Sequence, residues 1–209
     1  MNESPRGPAY RIETERLVLR CYQPADAPRV QAAVEASLDE LRPWLPWTRH
    51  EPMSLSQPVQ LLRQFRGQFD LGHDFTYGAF DPQETHLLGS TGLHTRVGPG
   101  AREIGYWICT GHTGAGLATE MVAALTRVGF ELEQLQRIEI HCSPDNTRSA
   151  TVARKLGYTH EATLRQRLDM GEGQLRDTMI WTLFAADYPQ SPAASTRIRA
   201  YDAIEQRIL

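Results

Sequence analysis

The chain has 209 residues, 41% of them hydrophobic and 22% charged, with a formal net charge of −3. That length buries a core without disulfides or metal and suits one large α/β-type domain, alone or with an appendage. The near-neutral balance and the absence of a basic run exclude bulk attraction to nucleic acid, and no stretch approaches the ~20 apolar residues of a membrane span.

Met1 to Tyr10 is polar and broken by prolines. It reads as a flexible lead-in without the apolar core of a signal peptide. RLVLRCY, Arg16 to Tyr22, alternates as a strand. QPADAPRVQAAVEAS then carries Val30, Ala33 and Val34 at helical spacing. LRPWLPWT, Leu41 to Thr48, is a proline-broken aromatic loop whose Trp44 and Trp47 either line a substrate cleft or close a core. SQPVQLLRQFRGQF predicts a helix with Ser56 as cap, Pro58 in the first turn and Val59, Leu62, Phe65 and Phe69 on one face. Strands are predicted over Phe75–Phe80, Leu87–Thr95 and Glu103–Cys109. A glycine loop and a helix with a stripe of Leu117, Met121, Leu125, Val128 and Leu132 follow. RIEIHCS, Arg137 to Ser143, reads as a strand. DNTRSATVARKLGY reads as a short helix capped by Asn146 and ended by Gly157. Two long strand patterns, Thr159–Leu168 and Leu175–Phe184, flank a GEG turn, and residues 189–209 form a weakly helical tail. The order describes a mixed sheet interrupted by helices, an α+β layer architecture.

Cys21, Cys109 and Cys142 are few, odd in number and far apart, which argues for a reducing compartment and against a disulfide framework or zinc site. The seven histidines form no H-x-x-x-H or Cys/His cluster. These features predict a cytoplasmic protein without a metal.

The chemistry sits in HTGAGLATEMVAAL, His112 to Leu125. It lacks the lysine of a P-loop and the spacing of a Rossmann loop. Gly114 and Gly116 still let a ligand approach the backbone, small Ala118 and Thr119 leave room, and the free N–H groups of a helix start suit a phosphate. A plain tight turn before a helix explains the glycines alone equally well.

The surroundings add to this. EIGYWICTGHTGAGLATEMVAALTRVGFEL followed by RIEIHCSPDNTRSATVARKLGY resembles the GCN5-related N-acetyltransferase (GNAT) superfamily. TERLVLR, PADA, LRPWLPW and LGYTHEATLR are similar to its RimJ/RimL branch of ribosomal-protein N-terminal acetyltransferases. The resemblance spans residues 12–188. It implies a GNAT fold over residues 11–188, a mostly antiparallel sheet with one splayed parallel strand pair, and acetyl-CoA as cosubstrate. The family's Q/R-x-x-G-x-G/A signature aligns with Thr113, Gly114, Ala115, Gly116, Leu117 and Ala118. Thr113 departs from the leading Gln/Arg, which predicts somewhat weaker CoA binding.

By the same resemblance, Ile108, Cys109 and Thr110 hold the pantetheine arm and the Ile108 N–H supports the oxyanion. Asn146 also touches pantetheine, Glu103 is the general base, and Ser149 donates to the departing thiolate. Strand alternation puts Glu103, Gly105, Trp107 and Cys109 on one face and Tyr106 on the other. The implied acceptor is a protein N-terminal α-amine, or else a small amine or aminoacyl compound. A homodimer is left open, no nucleic acid or membrane partner is implied, and a non-catalytic acyl-CoA-binding module is the opposing reading.

Overall fold

The computed structural model describes residues 8–209. Met1 to Gly7, most of the predicted lead-in, lie outside the described residues.

The strands are β1 (Arg11–Glu13), β2 (Val18–Cys21), β3 (Phe75–Phe80), β4 (Leu87–His94), β5 (Ala101–Ile108), β6 (Arg137–Cys142), β7 (Thr159–Asp169), β8 (Leu175–Phe184) and β9 (Arg199–Tyr201). They form one sheet in the order β7-β8-β6-β5-β4-β3-β2-β1-β9. Every neighbouring pair is antiparallel except β5 and β6. The helices are α1 (Ala27–Glu35), α2 (Leu38–Leu41), α3 (Ser56–Asp70), α4 (Leu117–Glu131) and α5 (Thr147–Lys155). This is the expected α+β architecture.

The apolar stripe of α4 explains its position. Met121, Leu125 and Val128 are fully buried and pack with Ile104 and Ile138 of the sheet in the larger core cluster. Burying each such side chain contributes about 1.5–3 kcal/mol. A smaller cluster gathers Tyr22, Ala27, Leu62, Phe80 and Leu87 around α1 and α3.

The parallel pair positions the site. Its ladder runs only from Ala101↔Arg137 to Glu103↔Glu139. Beyond that point β5 continues to Ile108 and β6 to Cys142 without pairing each other, so the two strands splay.

Four local readings change. The tail carries no α-helix: it makes two short 3-10 helices and then β9, which pairs with β1. Ala193 and Ala200 are fully buried, so tertiary pairing decides a segment with little periodicity of its own. Ala9 and Tyr10, read as lead-in, are anchored: Ala9 is fully buried, and Tyr10 donates its N–H to the Tyr201 carbonyl at 2.8 Å. Ser56 is the first residue of α3 rather than its cap, and Ser54 clasps Gln57 instead, at 2.8 and 3.0 Å. The short helix α2 and strand β1 carry too few residues to show a period.

Candidate active site

The glycine loop has the backbone its sequence suggests. Gly114 and Gly116 adopt φ of 78° and 82°, a left-handed conformation that favours glycine. Space above them is open. A Cβ at Gly114 would meet nothing within 4 Å, and one at Gly116 only an Arg16 nitrogen at 3.5 Å. The first helical bond of α4 is Glu120 N–H to the Gly116 carbonyl. The N–H groups of Leu117, Ala118 and Thr119 find no acceptor among the described residues. These donors lie at the positive end of a 15-residue helix, a ready anion cradle. Arg16 braces the loop by donating to the Ala115 carbonyl at 2.8 Å and pairing with Glu120 at 2.6 Å. Thr113 spends its hydroxyl on the Thr110 carbonyl, 3.1 Å away.

Register decides which backbone groups face the splay. Cys109 N–H bonds the Leu88 carbonyl at 2.9 Å, so the neighbouring pair Gly89↔Ile108 is of the non-hydrogen-bonded kind. Ile108, and by alternation Tyr106, therefore turn their N–H and C=O away from β4 and into the gap. Cys109 and Thr110 do not: the Thr110 N–H donates to Ser37 Oγ at 3.1 Å. Cys109 is buried, its thiol donates to the Leu87 carbonyl, and burial pushes its pKa to about 11, which disfavours a nucleophilic role.

The two faces of β5 present different chemistry to one cavity of about 980 Å³. On one side Tyr106 reaches α5, its hydroxyl 2.8 Å from Ser149 Oγ. Burial pushes the Tyr106 phenol upward, so it stays protonated. Asn146 caps α5 by accepting the Ser149 N–H at 3.1 Å, which fixes the first turn that carries the serine. Tyr158 is withdrawn from the site, buried against Thr126 at 2.7 Å.

On the opposite side Trp107 lies 6.3 Å from Trp47, ring centre to ring centre, and both Trp44 and Trp47 line the cavity. The β7–β8 hairpin closes over this loop: Arg49 donates to the Asp169 carbonyl at 3.2 Å, and Arg176 to that of Pro43. Glu103 faces the same cavity but is not free. Arg96 holds it through two bonds of 2.7 and 2.5 Å, and His141 stands 3.4 Å away. Burial pushes the Glu103 carboxyl up, yet Arg96 and the two nearby imidazoles outweigh it and hold it below the usual range. His141 also contacts Glu139 at 2.7 Å. Among the described residues no cluster of three His, Cys, Asp or Glu side chains could hold a metal ion, and no helix is long and apolar enough to cross a membrane.

The profile of the acetyltransferase (GNAT) domain family matches residues 16–159 of the chain. The chain belongs to the GNAT acetyltransferase family. Over 187 residues, 87% of this chain and 94% of the relative, it is 29% identical to the [Ribosomal protein uS5]-alanine N-acetyltransferase of Escherichia coli K12. Among solved structures it resembles Mycobacterium smegmatis RimJ in complex with a CoA disulfide, with a TM-score of 0.75, 25% identity and coverage of 90% and 91% of the two chains. The ribosomal-protein-S5-alanine acetyltransferase of Vibrio fischeri superposes with a TM-score of 0.76 at 23% identity, over 85% and 98% of the two chains.

This GNAT chain is an acetyl-CoA-dependent N-acetyltransferase of RimJ/RimL type, and its residues fit that cosubstrate. The open α4 cradle suits a diphosphate, and the unpaired edge of β5 suits an extended amide-bearing arm. Sequence reasoning placed Glu103 and Tyr106 on opposite faces, as they are. It missed the Tyr106–Ser149 pair, the Arg96 clasp on Glu103, and His94, which lines the same cavity. Arg96 and His94 were findable only through the β4–β5 register, which sets His94 opposite Glu103.

Proposed function

We propose that this enzyme transfers the acetyl group of acetyl-CoA directly to the N-terminal α-amine of a protein, of the kind its ribosomal-protein-modifying relatives are named for. The supporting observation is the splay between β5 and β6. It joins a thiolate-side hydroxyl pair, Ser149 and Tyr106, to an acceptor-side cavity on the opposite face of β5. Two substrates entering from opposite faces meet there without passing each other.

In this reading the pyrophosphate lies on the backbone of Gly114 to Thr119. The pantetheine arm runs along the free edge of β5, contacting Ile108 and Asn146. Cys109 and Thr110 contribute packing rather than N–H groups. The Ile108 N–H points where a tetrahedral oxyanion would form, and such donors are worth ~3–4 kcal/mol elsewhere. The amine attacks the thioester carbon, the C–S bond breaks, and the sulfur takes its proton from Ser149 with Tyr106 behind it. Trp44 and Trp47 wall the acceptor end. Glu103, held ionised by Arg96, attracts and orients the incoming ammonium. Three buried free cysteines suit a cytoplasmic setting.

The test is CoA thiol release with peptides beginning in Ala or Ser and with small primary amines, followed by mass analysis of the acceptor. Peptide acetylation at the α-amine is expected. Acetyl-CoA binding without turnover across the panel would favour a non-catalytic module. Turnover of small amines alone would exclude the protein acceptor.

A further inference from the structure

Two glycines, Gly92 and Gly105, face each other across β4 and β5 and leave a shelf on the cavity side of the sheet. The His94 imidazole lies on that shelf. A Cβ added at Gly92 would fall 2.6 Å from its Nε2, and one at Gly105 would fall 3.2 Å from the same atom. The ring is thus folded back along β4 toward Ser90↔Trp107, the direction of the open splay. Nδ1 of His94 is 2.8 Å from Asp74 Oδ2, while Asp74 Oδ1 accepts the Thr95 N–H at 3.0 Å. Burial pushes the Asp74 carboxyl up, but its bond to His94 prevails and keeps it ionised. An ionised Asp74 can only accept, so it takes a hydrogen bond from Nδ1–H, and that tautomer leaves the Nε2 lone pair outward. Nε2 has no hydrogen-bond partner among the described residues.

The charges around this ring sort themselves. Asp74, from the loop before β3, is its direct partner. Arg96, from the turn after β4, and Glu103 of β5 bind each other, and His141 and Glu139 of β6 stand beyond Glu103. Glu103 therefore holds its proton-accepting oxygens against a guanidinium, whereas His94 keeps its acceptor nitrogen free.

We propose that His94, oriented by Asp74, is the base that removes the proton from the acceptor ammonium. The Nε2 lone pair takes the proton and the freed amine lone pair forms the C–N bond. The C–S electron pair leaves on sulfur, which takes a proton from Ser149. The second proton, shed by nitrogen as the amide forms, restores the Ser149–Tyr106 pair through solvent, and His94 returns the first proton to solvent. Asp74 is a positioning residue. This proposal rests on the acyl-transfer reading above.

The experiment is the pH dependence of kcat/KM, using whichever Ala-peptide, Ser-peptide or small amine the wild type turns over. His94→Gln is expected to lose about 100-fold at neutral pH and to recover as pH rises toward the pKa of the acceptor amine, about 8 for an α-amine, with the acetyl-CoA KM unchanged. Asp74→Asn, which removes the acceptor that sets the tautomer, is expected to lose at least about tenfold. Gly105→Ala, which crowds the ring without touching its chemistry, is expected to lower kcat in a protein of normal thermal stability. Glu103→Gln is expected to weaken acceptor binding while keeping the wild-type pH shape. A wild-type profile in folded His94→Gln would overturn the proposal and leave the proposed function standing. So would a lost acid limb confined to Glu103→Gln. A wild type inactive with every acceptor would overturn both.

Discussion

At the scale of single residues, the hydroxyl pair of Tyr106 and Ser149 makes the sharpest claim. Either oxygen can donate to the other at 2.8 Å, so the two form one proton source whose outer member meets the sulfur. Ser149→Ala and Tyr106→Phe should each lower kcat, by about 10- to 100-fold, with the acetyl-CoA KM nearly unchanged. Because the two act as a unit, the double variant should cost little more than the worse single one. Steady-state kinetics on all three variants check this; additive losses would separate the roles. Ser149 also belongs to a capped helix start. A fall in thermal stability with full turnover would leave it only that structural part.

At the scale of elements, the loop before α4 and the strand beside it do different jobs. Gly116→Val introduces a branched side chain at φ 82°, beside the helix-end donors and Arg16. The expected outcome is at least about a tenfold rise in the acetyl-CoA KM, measured by titration, in a chain that still folds. Unchanged affinity in a folded variant would remove the diphosphate from this loop. Its glycines alone fit a plain turn as well, but the loop was legible in sequence because they sit among flanking strand and helix motifs that resemble those of an acetyltransferase. The clasp of Arg96 on Glu103 was not, because seven residues and a turn separate partners that only strand register brings together. The shelf under His94 was hidden for the same reason: Gly92 and Gly105 mean little until they are known to face each other. β9 was illegible because three residues, Arg199 to Tyr201, carry no pattern. They become a strand by pairing with β1, nearly the whole chain away.

At the scale of the whole molecule, depressed carboxylates set the acid limit of the fold. Burial works against ionised Asp26, Asp74 and Glu84, but Arg20, His94 and Arg11 respectively outweigh it and hold all three below their ordinary range. A group with a lowered folded pKa stabilises the protein above its unfolded value, near 4, and loses that contribution as pH falls toward the folded value. Stability should therefore decline below about pH 4, measured by urea unfolding across the acid range. Glu133 runs the other way. Its carboxyl is pushed up by burial despite Arg102 at 3.0 Å, so its protonation in the folded protein relieves a cost as pH drops. Glu133→Gln should accordingly be neutral or mildly stabilising at pH 7, read from the same unfolding curves.

The splay carries a further consequence, in time rather than in space. In the middle of a nine-stranded sheet, amide protons ordinarily exchange with deuterium only when the structure opens. Tyr106 and Ile108 lie near the centre of this sheet, yet their N–H groups face a strand that has already turned away. In the free enzyme these two should label quickly, while Gly105 and Trp107, paired to β4, label slowly. Acetyl-CoA, laid along the same edge as a substitute strand, should slow the first pair and leave the second unchanged. The donor would thus act as a missing rung of the sheet, and its departure as CoA would reopen the clock with every turnover.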